Sequence, residues 1–287
     1  MCVVAQVLCC VLLLDGSGKS ADPRQDLSVA ETPATDESVR DLNDGGKNES
    51  VSADSEQVVT QPAGPAPTPE HTGIKAMVKD LAIDFTHLPS KENLFWAGVG
   101  GGLALGVHPA DDHVQQAMVN SDFAHDFFKL GSYLGEVYTL LPAAVTVYAV
   151  GRGKDLPKVS HLGMDLIQSL AVSEALVNAL KYTTRRDRPD GSGKTSFPSG
   201  HAADTFAFAT ALERHLGWKG AVPAYIFASY VAISRLPDDR HWLSDVMFGS
   251  TVGIIAGRTV TRHGRDFPVA VAAVPGGAAI MYVRRGE

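Results

Sequence analysis

The segments KYTTRRDRP (Lys181–Pro189), PSGH (Pro198–His201) and SRLPDDRHWLSD (Ser234–Asp245) decide how this 287-residue chain is organised. Together they place three spaced cations, two histidines, a carboxylate and a glycine-containing turn within about 65 residues. Cations and exposed backbone N–H groups are suited to bind a phosphoryl group. Two histidines are suited to act as a nucleophile and as a proton donor.

The third segment pairs a histidine with a carboxylate. A helix is predicted from Trp242 to Val260, so His241 and Asp245 are expected to share one helix face. Asp245 would then accept a hydrogen bond from one ring nitrogen and leave the other free to attack. Two alternatives stay open: a His–Asp pair that only stabilises the helix, and a pair of metal ligands.

The second segment predicts a helix start. Pro198–His201 precedes an apolar-periodic run, Ala202 to Leu216, with Ser199 in the N-cap position. Backbone N–H groups at a helix start point towards anions, and Gly200 allows close approach. His201 would stand beside a bound anion, placed to protonate a leaving oxygen. The alternative is an ordinary capped helix with a partly exposed histidine.

The cations lie at the ends of predicted helices. Lys181 ends a long helical pattern, Arg188 lies in the loop after it, and Arg235 ends another apolar run. Cations at helix ends are commonly solvated, so each one alone is weak support for a site. Arg185 and Arg186 are interpreted as flanking charge rather than as ligands.

Eleven fixed positions across the three segments make a chance match negligible. This pattern resembles the signature of the PAP2 superfamily, which contains type 2 phosphatidic acid phosphatases, bacterial acid phosphatases and vanadium haloperoxidases. The resemblance implies an all-α helical bundle of the PAP2/haloperoxidase type, which we expect over residues 73–265.

The resemblance also implies a role for each position. His241 would be the nucleophile that forms a phosphohistidine, Asp245 would orient it, and His201 would protonate the leaving oxygen. Non-bridging phosphoryl oxygens would be held by cations and hydrogen-bond donors, namely Lys181, Arg188, Ser199, Gly200 and Arg235. Such donors stabilise the charge of the transferring group, so neither a metal nor another cofactor is expected.

The function implied is metal-independent hydrolysis of phosphate monoesters. Phosphatidate, other envelope lipid phosphates or pyrophosphates, and small esters all fit, and the sequence does not choose among them. One alternative is a vanadium-dependent haloperoxidase, in which vanadate would be a cofactor instead of an inhibitor. The other is a non-catalytic binder of phospholipids or phosphosugars.

The N-terminal quarter differs in composition from the rest of the chain. Residues 1–21 contain an apolar run, Val3 to Leu14, and are predicted to be a signal peptide. This segment holds all three cysteines, Cys2, Cys9 and Cys10. Residues 22–72 carry eleven acidic and three basic residues and are predicted to be a disordered acidic linker. Because the whole chain carries −7, this linker's −8 leaves the remainder near +1.

The signal peptide predicts a periplasmic or secreted protein, with an integral membrane protein as the alternative. The longest uncharged apolar run, between Glu136 and Arg152, has fifteen residues, whereas a spanning helix needs about 20. Amphipathic helices would still allow association with a membrane surface. A near-neutral core argues against nucleic acid as a partner. The sequence leaves the oligomeric state open.

The remaining helices are predicted from apolar periodicity. Their expected ranges are 74–85, 92–106 with Ser90 as N-cap, 111–129, 130–150, 157–181 and 221–233. Residues 266–287 form a C-terminal extension. Within it, Pro268–Val274 and Ala278–Arg284 flank Pro275-Gly276-Gly277 and predict a short β-hairpin.

Overall fold

The computed structural model describes residues 72–262 and the backbone of residues 269–274 and 277–282. Nine α-helices occupy this part of the chain, with a short 3₁₀ turn, His108–Ala110, before the third. The helices are α1 Ile74–His87, α2 Lys91–Val107, α3 Asp111–Val119, α4 Asp122–Leu134, α5 Val137–Gly153, α6 Pro157–Thr184, α7 Gly200–Leu216, α8 Trp218–Ser234 and α9 Leu243–Val260. The all-α architecture of residues 72–262 confirms the predicted fold class.

Two predicted helices, 111–129 and 130–150, are in fact three. The first break falls at Ser121, whose hydroxyl accepts a hydrogen bond from the Ala124 N–H (3.2 Å) and so caps α4. The second falls at Gly135 and Glu136. A Cβ built on Gly135 would lie 2.1 Å from Val231 Cγ1, so only glycine fits at this close packing point. Periodicity alone could not locate either break, because both depend on local capping and tertiary packing.

The central helix is α6, which has 28 residues and is about 42 Å long. It packs against α5, α7 and α9, and its first half is buried almost all round. This burial explains why α6 has no clear amphipathic pattern. The largest apolar cluster joins α5, α6, α7 and α8. Its members include Leu140, Val147, Leu162, Leu166, Leu170, Phe208, Leu212, Ala224 and Ala228.

Helices α7 and α9 approach each other closely because α9 has glycine at every fourth position. A Cβ on Gly249 would lie 2.5 Å from the Ser199 carbonyl oxygen, and one on Gly253 only 2.1 Å from the Ala203 oxygen. The third glycine, Gly257, faces the Thr210 side chain in the same way. This row places the start of α9 against the start of α7, where the motif residues lie.

The outer helices expose large apolar side chains. On α4, Phe123, Phe127, Leu130 and Tyr133 are more than half exposed. Within residues 72–262 no single helix is both long and apolar enough to cross a membrane. Helices α4 and α5, bent by 49° at their junction, pass that test of length and composition as a pair.

At the C-terminal end, two strands pair antiparallel where the sequence predicts a hairpin. They are β1, Val269–Val274, and β2, Gly277–Tyr282, with Val269 opposite Tyr282 and Val274 opposite Gly277. The predicted signal peptide and almost all of the predicted acidic linker lie outside the described residues. Only the linker's last residue, Thr72, is seen; it is buried, and its hydroxyl lies 2.8 Å from Ser160 Oγ.

Candidate active site

The fold brings the predicted site residues to one end of α6, α7 and α9. Lys181 lies in the last turn of α6, and Arg188 follows in the α6–α7 loop. Ser199 is the N-cap of α7, and Gly200 and His201 are its first two residues. The last part of the site comes from the α8–α9 connection, which holds Arg235 and His241, and from the first turn of α9, which holds Asp245.

His241 is almost fully buried, with one ring nitrogen committed to the backbone. Its Nδ1 lies 2.6 Å from the Ser196 carbonyl oxygen, which can only accept, so Nδ1 carries the proton and Nε2 keeps its lone pair. Burial lowers the pKa of His241 well below its usual value, and the charges of Arg235 and Lys181 lower it further. The ring is therefore neutral, as a nucleophile must be.

The direct hydrogen bond predicted between His241 and Asp245 is not made. The closest approach, from Nδ1 to Asp245 Oδ2, is 4.0 Å. The prediction was wrong because α9 begins at Leu243 with Trp242 as its N-cap, so His241 precedes the helix. The i,i+4 geometry of a helix face does not apply to it.

Asp245 is connected to the histidine through Ser196 instead. Its Oδ2 accepts hydrogen bonds from Ser196 Oγ (2.5 Å) and from the Trp242 N–H (2.9 Å). The same Ser196 supplies the carbonyl that holds the ring of His241. Burial raises the pKa of the Asp245 carboxyl, although the Ser196 hydrogen bond and the charge of Arg186 act in the opposite direction.

Arg186, interpreted from sequence as flanking charge, is instead the cation that holds this carboxylate. Its Nη1 donates to Asp245 Oδ1 (2.6 Å), and its Nη2 donates to Asp111 Oδ2 (2.8 Å). Its guanidinium also lies 5.6 Å from the ring centroid of Trp242. The preceding Arg185 ends α6 in a left-handed conformation (φ 48°) and is exposed. Sequence spacing gave no signal that separates these two arginines.

Asp111 is a second residue that sequence reasoning missed. It starts α3, far from the motif in sequence, and it is 3% exposed. It accepts hydrogen bonds from the Ser244 backbone N–H (2.8 Å) and from Ser244 Oγ (2.6 Å). Burial raises its pKa, but the bonds from Ser244 and Arg186 outweigh this and lower the pKa overall. Asp111 and Asp245 therefore clamp Arg186 from two sides.

His201 is the second residue of α7, and its Nε2 contacts the segment around Ser132 and Glu136. Nε2 lies 3.2 Å from the Ser132 carbonyl oxygen and 3.1 Å from Glu136 Oε1. Burial and the charge of Arg235 lower the pKa of His201 to about 3, although the hydrogen bond to the Ser132 carbonyl acts in the opposite direction. The ring is therefore neutral, with its proton on Nε2, and Nδ1 is the atom left to meet a substrate.

The three predicted cations act on the same small region. The positive charges of Lys181, Arg188 and Arg235 each lower the pKa of both His201 and His241. Burial, followed by the charge of Arg188, lowers the pKa of Lys181 itself. Grouping three cations around two neutral histidines costs free energy, and a bound anion would relieve that cost.

Several buried donors at this point have no hydrogen-bond partner among residues 72–262. They are Arg188 Nε, Arg235 Nε and Ser199 Oγ. The prediction that the Ser199 side chain caps α7 was wrong in this respect: Ser199 is the N-cap residue, but its hydroxyl makes no capping bond. A Cβ on Gly200 would lie 3.5 Å from Lys181 Nζ, so the α7 N-terminus directly adjoins this cation. Together these donors could bind phosphoryl oxygens.

A cavity of about 530 Å³ opens beside Arg235. Helix α4 forms one wall, and the α8–α9 connection forms the other. Both signs of charge line it, through Asp126, Lys129, Glu136, Asp238 and Arg240. Asp238 Oδ2 accepts from Arg235 Nη1 (2.8 Å) and from the Ser132 hydroxyl, so Arg235 is held at the inner edge of the cavity.

Residues 162–267 match the model of the PAP2 superfamily. A Lipid A 1-phosphatase of Porphyromonas gingivalis is 44% identical over 91 residues, which are 31% of this chain and 20% of that protein. A PA-phosphatase related-family protein of Dictyostelium discoideum is 26% identical over 145 residues, which are 41% of this chain and 54% of that protein. The chain thus spans between a fifth and about half of these relatives.

Among solved structures, the transmembrane PAP2 type phosphatidylglycerolphosphate phosphatase of Bacillus subtilis is similar, with a TM-score of 0.47 and 21% identity. The similarity covers 66% of this chain and 94% of that one. The matched segment, 162–267, includes every motif residue from Lys181 to Asp245. The resemblance expected from the motif is confirmed over residues 162–267, the segment that matches the PAP2 superfamily model.

Proposed function

We propose that this protein is a metal-independent phosphatase that works through a phosphohistidine at His241. The observation that carries the proposal is the state of this residue. It is buried and neutral, its Nδ1 is fixed on the Ser196 carbonyl, and three cations act on it. A histidine in this state has one nucleophilic atom, Nε2, in a field that favours a phosphoryl group.

In the first step, the Nε2 lone pair of His241 attacks phosphorus and the bond to the ester oxygen breaks. The leaving oxygen takes a proton from His201. Before this step His201 must gain a proton on Nδ1, and the negative charge of a bound phosphoryl group raises its pKa by offsetting Arg235, Lys181 and Arg188. The three cations stabilise the charge on the equatorial oxygens throughout.

In the second step, water attacks the phosphorus of the phosphohistidine. His201, neutral after donating its proton, accepts one from this water, and the phosphorus–nitrogen bond breaks. Inorganic phosphate leaves, and His241 returns to its neutral form. Asp245 and Arg186 keep Ser196 in place, so that Nδ1 stays bonded and the phosphoryl group can occupy only Nε2.

A lipid phosphate is the substrate class that we propose. The name of the P. gingivalis relative, Lipid A 1-phosphatase, supports a lipid substrate. The cavity wall formed by α4 supports it too, since that helix also exposes Phe123, Phe127 and Leu130. Acyl chains could lie along this apolar face while the phosphate enters beside Arg235. We place the protein at a cell-envelope membrane, on the periplasmic side if the predicted signal peptide is cleaved, with an integral membrane protein as the alternative.

The test is hydrolysis of a short-chain phosphatidate and of p-nitrophenyl phosphate by the full chain with EDTA present. We expect activity on the lipid that is lost in His241→Ala, and radiolabelled phosphate trapped on His201→Ala protein incubated with labelled substrate. Label that persists in a His201→Ala, His241→Ala double variant would refute the assignment of the nucleophile. Folded wild type without turnover would refute the phosphatase, and vanadate-dependent bromide oxidation would then favour the haloperoxidase.

A further inference from the structure

Far from the motif residues, a second cluster of titratable side chains lies between α6 and α7. His161 and Asp165 are four residues apart near the start of α6, and His215 lies in the last turn of α7. Each offers one ligand atom, and these three atoms all lie within 4.8 Å of one another. Asp165 is 16 residues before Lys181, which along a helix is about 24 Å, so the cluster is separate from the active site.

The geometry of the cluster is that of a ligand set around one ion. Both imidazoles direct Nε2 at the same oxygen, Asp165 Oδ2, at 3.5 Å from His161 and 2.8 Å from His215. In a tetrahedral zinc site with bonds of about 2.0–2.1 Å, neighbouring ligand atoms are about 3.3 Å apart. The observed distances bracket that value. The His161 distance of 3.5 Å is too long for a good hydrogen bond but suits two ligands of one cation.

The chemistry of the donors points the same way. Two imidazoles and one carboxylate form a three-ligand set of the kind that binds zinc and leaves one coordination position open. All three side chains are buried, with side-chain exposures of 1%, 0% and 8%. The two rings meet edge to face at 78°, with centroids 4.7 Å apart, so that their nitrogens converge.

We propose that His161, Asp165 and His215 bind a divalent transition-metal ion, with Zn²⁺ preferred. The ion would join the N-terminal half of α6 to the C-terminal end of α7. Those two helices carry Lys181 and the Ser199–His201 turn at their opposite ends. The role is structural, because the site is remote from His241. Neither periodicity nor residue spacing in the sequence could reveal this metal site, since Asp165 and His215 are 50 residues apart.

The test is metal binding by the purified full chain, which does not depend on phosphatase activity. Metal-free protein loaded with Co²⁺ should show the visible absorption bands of a tetrahedral site at one equivalent, and Zn²⁺ should displace them. We expect loading to raise the thermal midpoint by several degrees, because the ion binds only the folded chain. Hydrolysis in EDTA should continue below that midpoint.

Two variants make the test specific. His215→Ala should lose the Co²⁺ bands and the thermal shift, whereas His113→Ala, which removes an exposed histidine, should keep both. Ions held by the N-terminal cysteines would instead give thiolate charge-transfer bands, and these would persist in His215→Ala. Wild type that binds no stoichiometric Co²⁺ or Zn²⁺, or binding unchanged in His215→Ala, would overturn the proposal. If His215→Ala does not fold, the wild-type spectrum and thermal shift still decide it.

Discussion

The depressed pKa of His201 makes a quantitative prediction about stability. In the unfolded chain a histidine titrates near 6.5, whereas burial and Arg235 lower the pKa of folded His201 to about 3. Between pH 6.5 and about 3, His201 therefore binds a proton in the unfolded state but not in the folded state. The stability that comes from keeping His201 neutral is fully present above pH 6.5 and is lost as the pH falls towards 3.

Between pH 8 and pH 5 the loss from His201 alone is about 2 kcal/mol. The figure is insensitive to the folded pKa, because at pH 5 any folded value below about 4 leaves the ring neutral. His201→Gln removes this titrating group, so the fall in free energy of unfolding between the two pH values should shrink by about 2 kcal/mol. His241, whose pKa is also lowered, should account for part of the fall that remains.

Urea unfolding of the full chain at pH 8 and pH 5, followed by circular dichroism, measures both quantities. His125→Gln, at an exposed histidine, is the matched control for the loss of one imidazole. If His201→Gln keeps the wild-type difference, the folded pKa of His201 is not depressed. The argument that a bound phosphoryl group must restore its proton would then fail as well.

Three further predictions concern the supports of the site and the helix packing. Arg186→Gln leaves the buried Asp111 and Asp245 carboxylates without their shared cation, so we expect about 3 kcal/mol less stability and a lower kcat, against about 0.5 kcal/mol or less for Arg185→Gln. Equal losses of stability for the two variants in urea unfolding would show that Arg186 does not stabilise the Asp111 and Asp245 carboxylates. Gly253→Ala should cost about 1–3 kcal/mol because its Cβ would meet the Ala203 oxygen, whereas Gly102→Ala, with no atom within 4 Å, should gain about 0.5–1 kcal/mol. A gain in both would contradict the close α7–α9 contact. Ser196→Ala removes the hydroxyl bonded to Asp245 but keeps the carbonyl bonded to His241, so kcat should fall by about tenfold with KM nearly unchanged. A rise in KM alone would place Ser196 in substrate binding.

The sequence predicted which side chains meet at the candidate site better than it predicted the hydrogen bonds among them. Residue type, spacing and the family resemblance singled out His201, His241 and the three cations, although α6, which carries Lys181, has no clear amphipathic pattern. The hydrogen bond to His241 could not be predicted, because it depends on where α9 begins, and one residue at a helix boundary decides whether i,i+4 geometry applies. Arg186 and Asp111 were missed because their pairing depends on how α3 docks onto α9.

The row of glycines on α9 is another feature whose role could not be predicted from the sequence alone. Four-residue spacing of glycine is visible in the sequence, but its meaning appears only when Gly249 is seen against the Ser199 backbone. Likewise, the missing side-chain cap at Ser199 has no local signal, because a serine before a helix ordinarily caps it. Both features concern atoms that the tertiary structure brings together.

Asp111, Ser132 and Glu136 all lie outside residues 162–267, yet they contact Arg186, Ser244 and His201 inside that segment. The three-part motif is therefore not a self-contained unit that could be moved to another protein. A fragment limited to residues 162–267 would leave Arg186 and Ser244 without Asp111, and His201 without Ser132 and Glu136. The same contacts would be missing if the motif were inserted into another helical scaffold. For anyone redesigning this protein, the smallest transferable piece begins no later than α3.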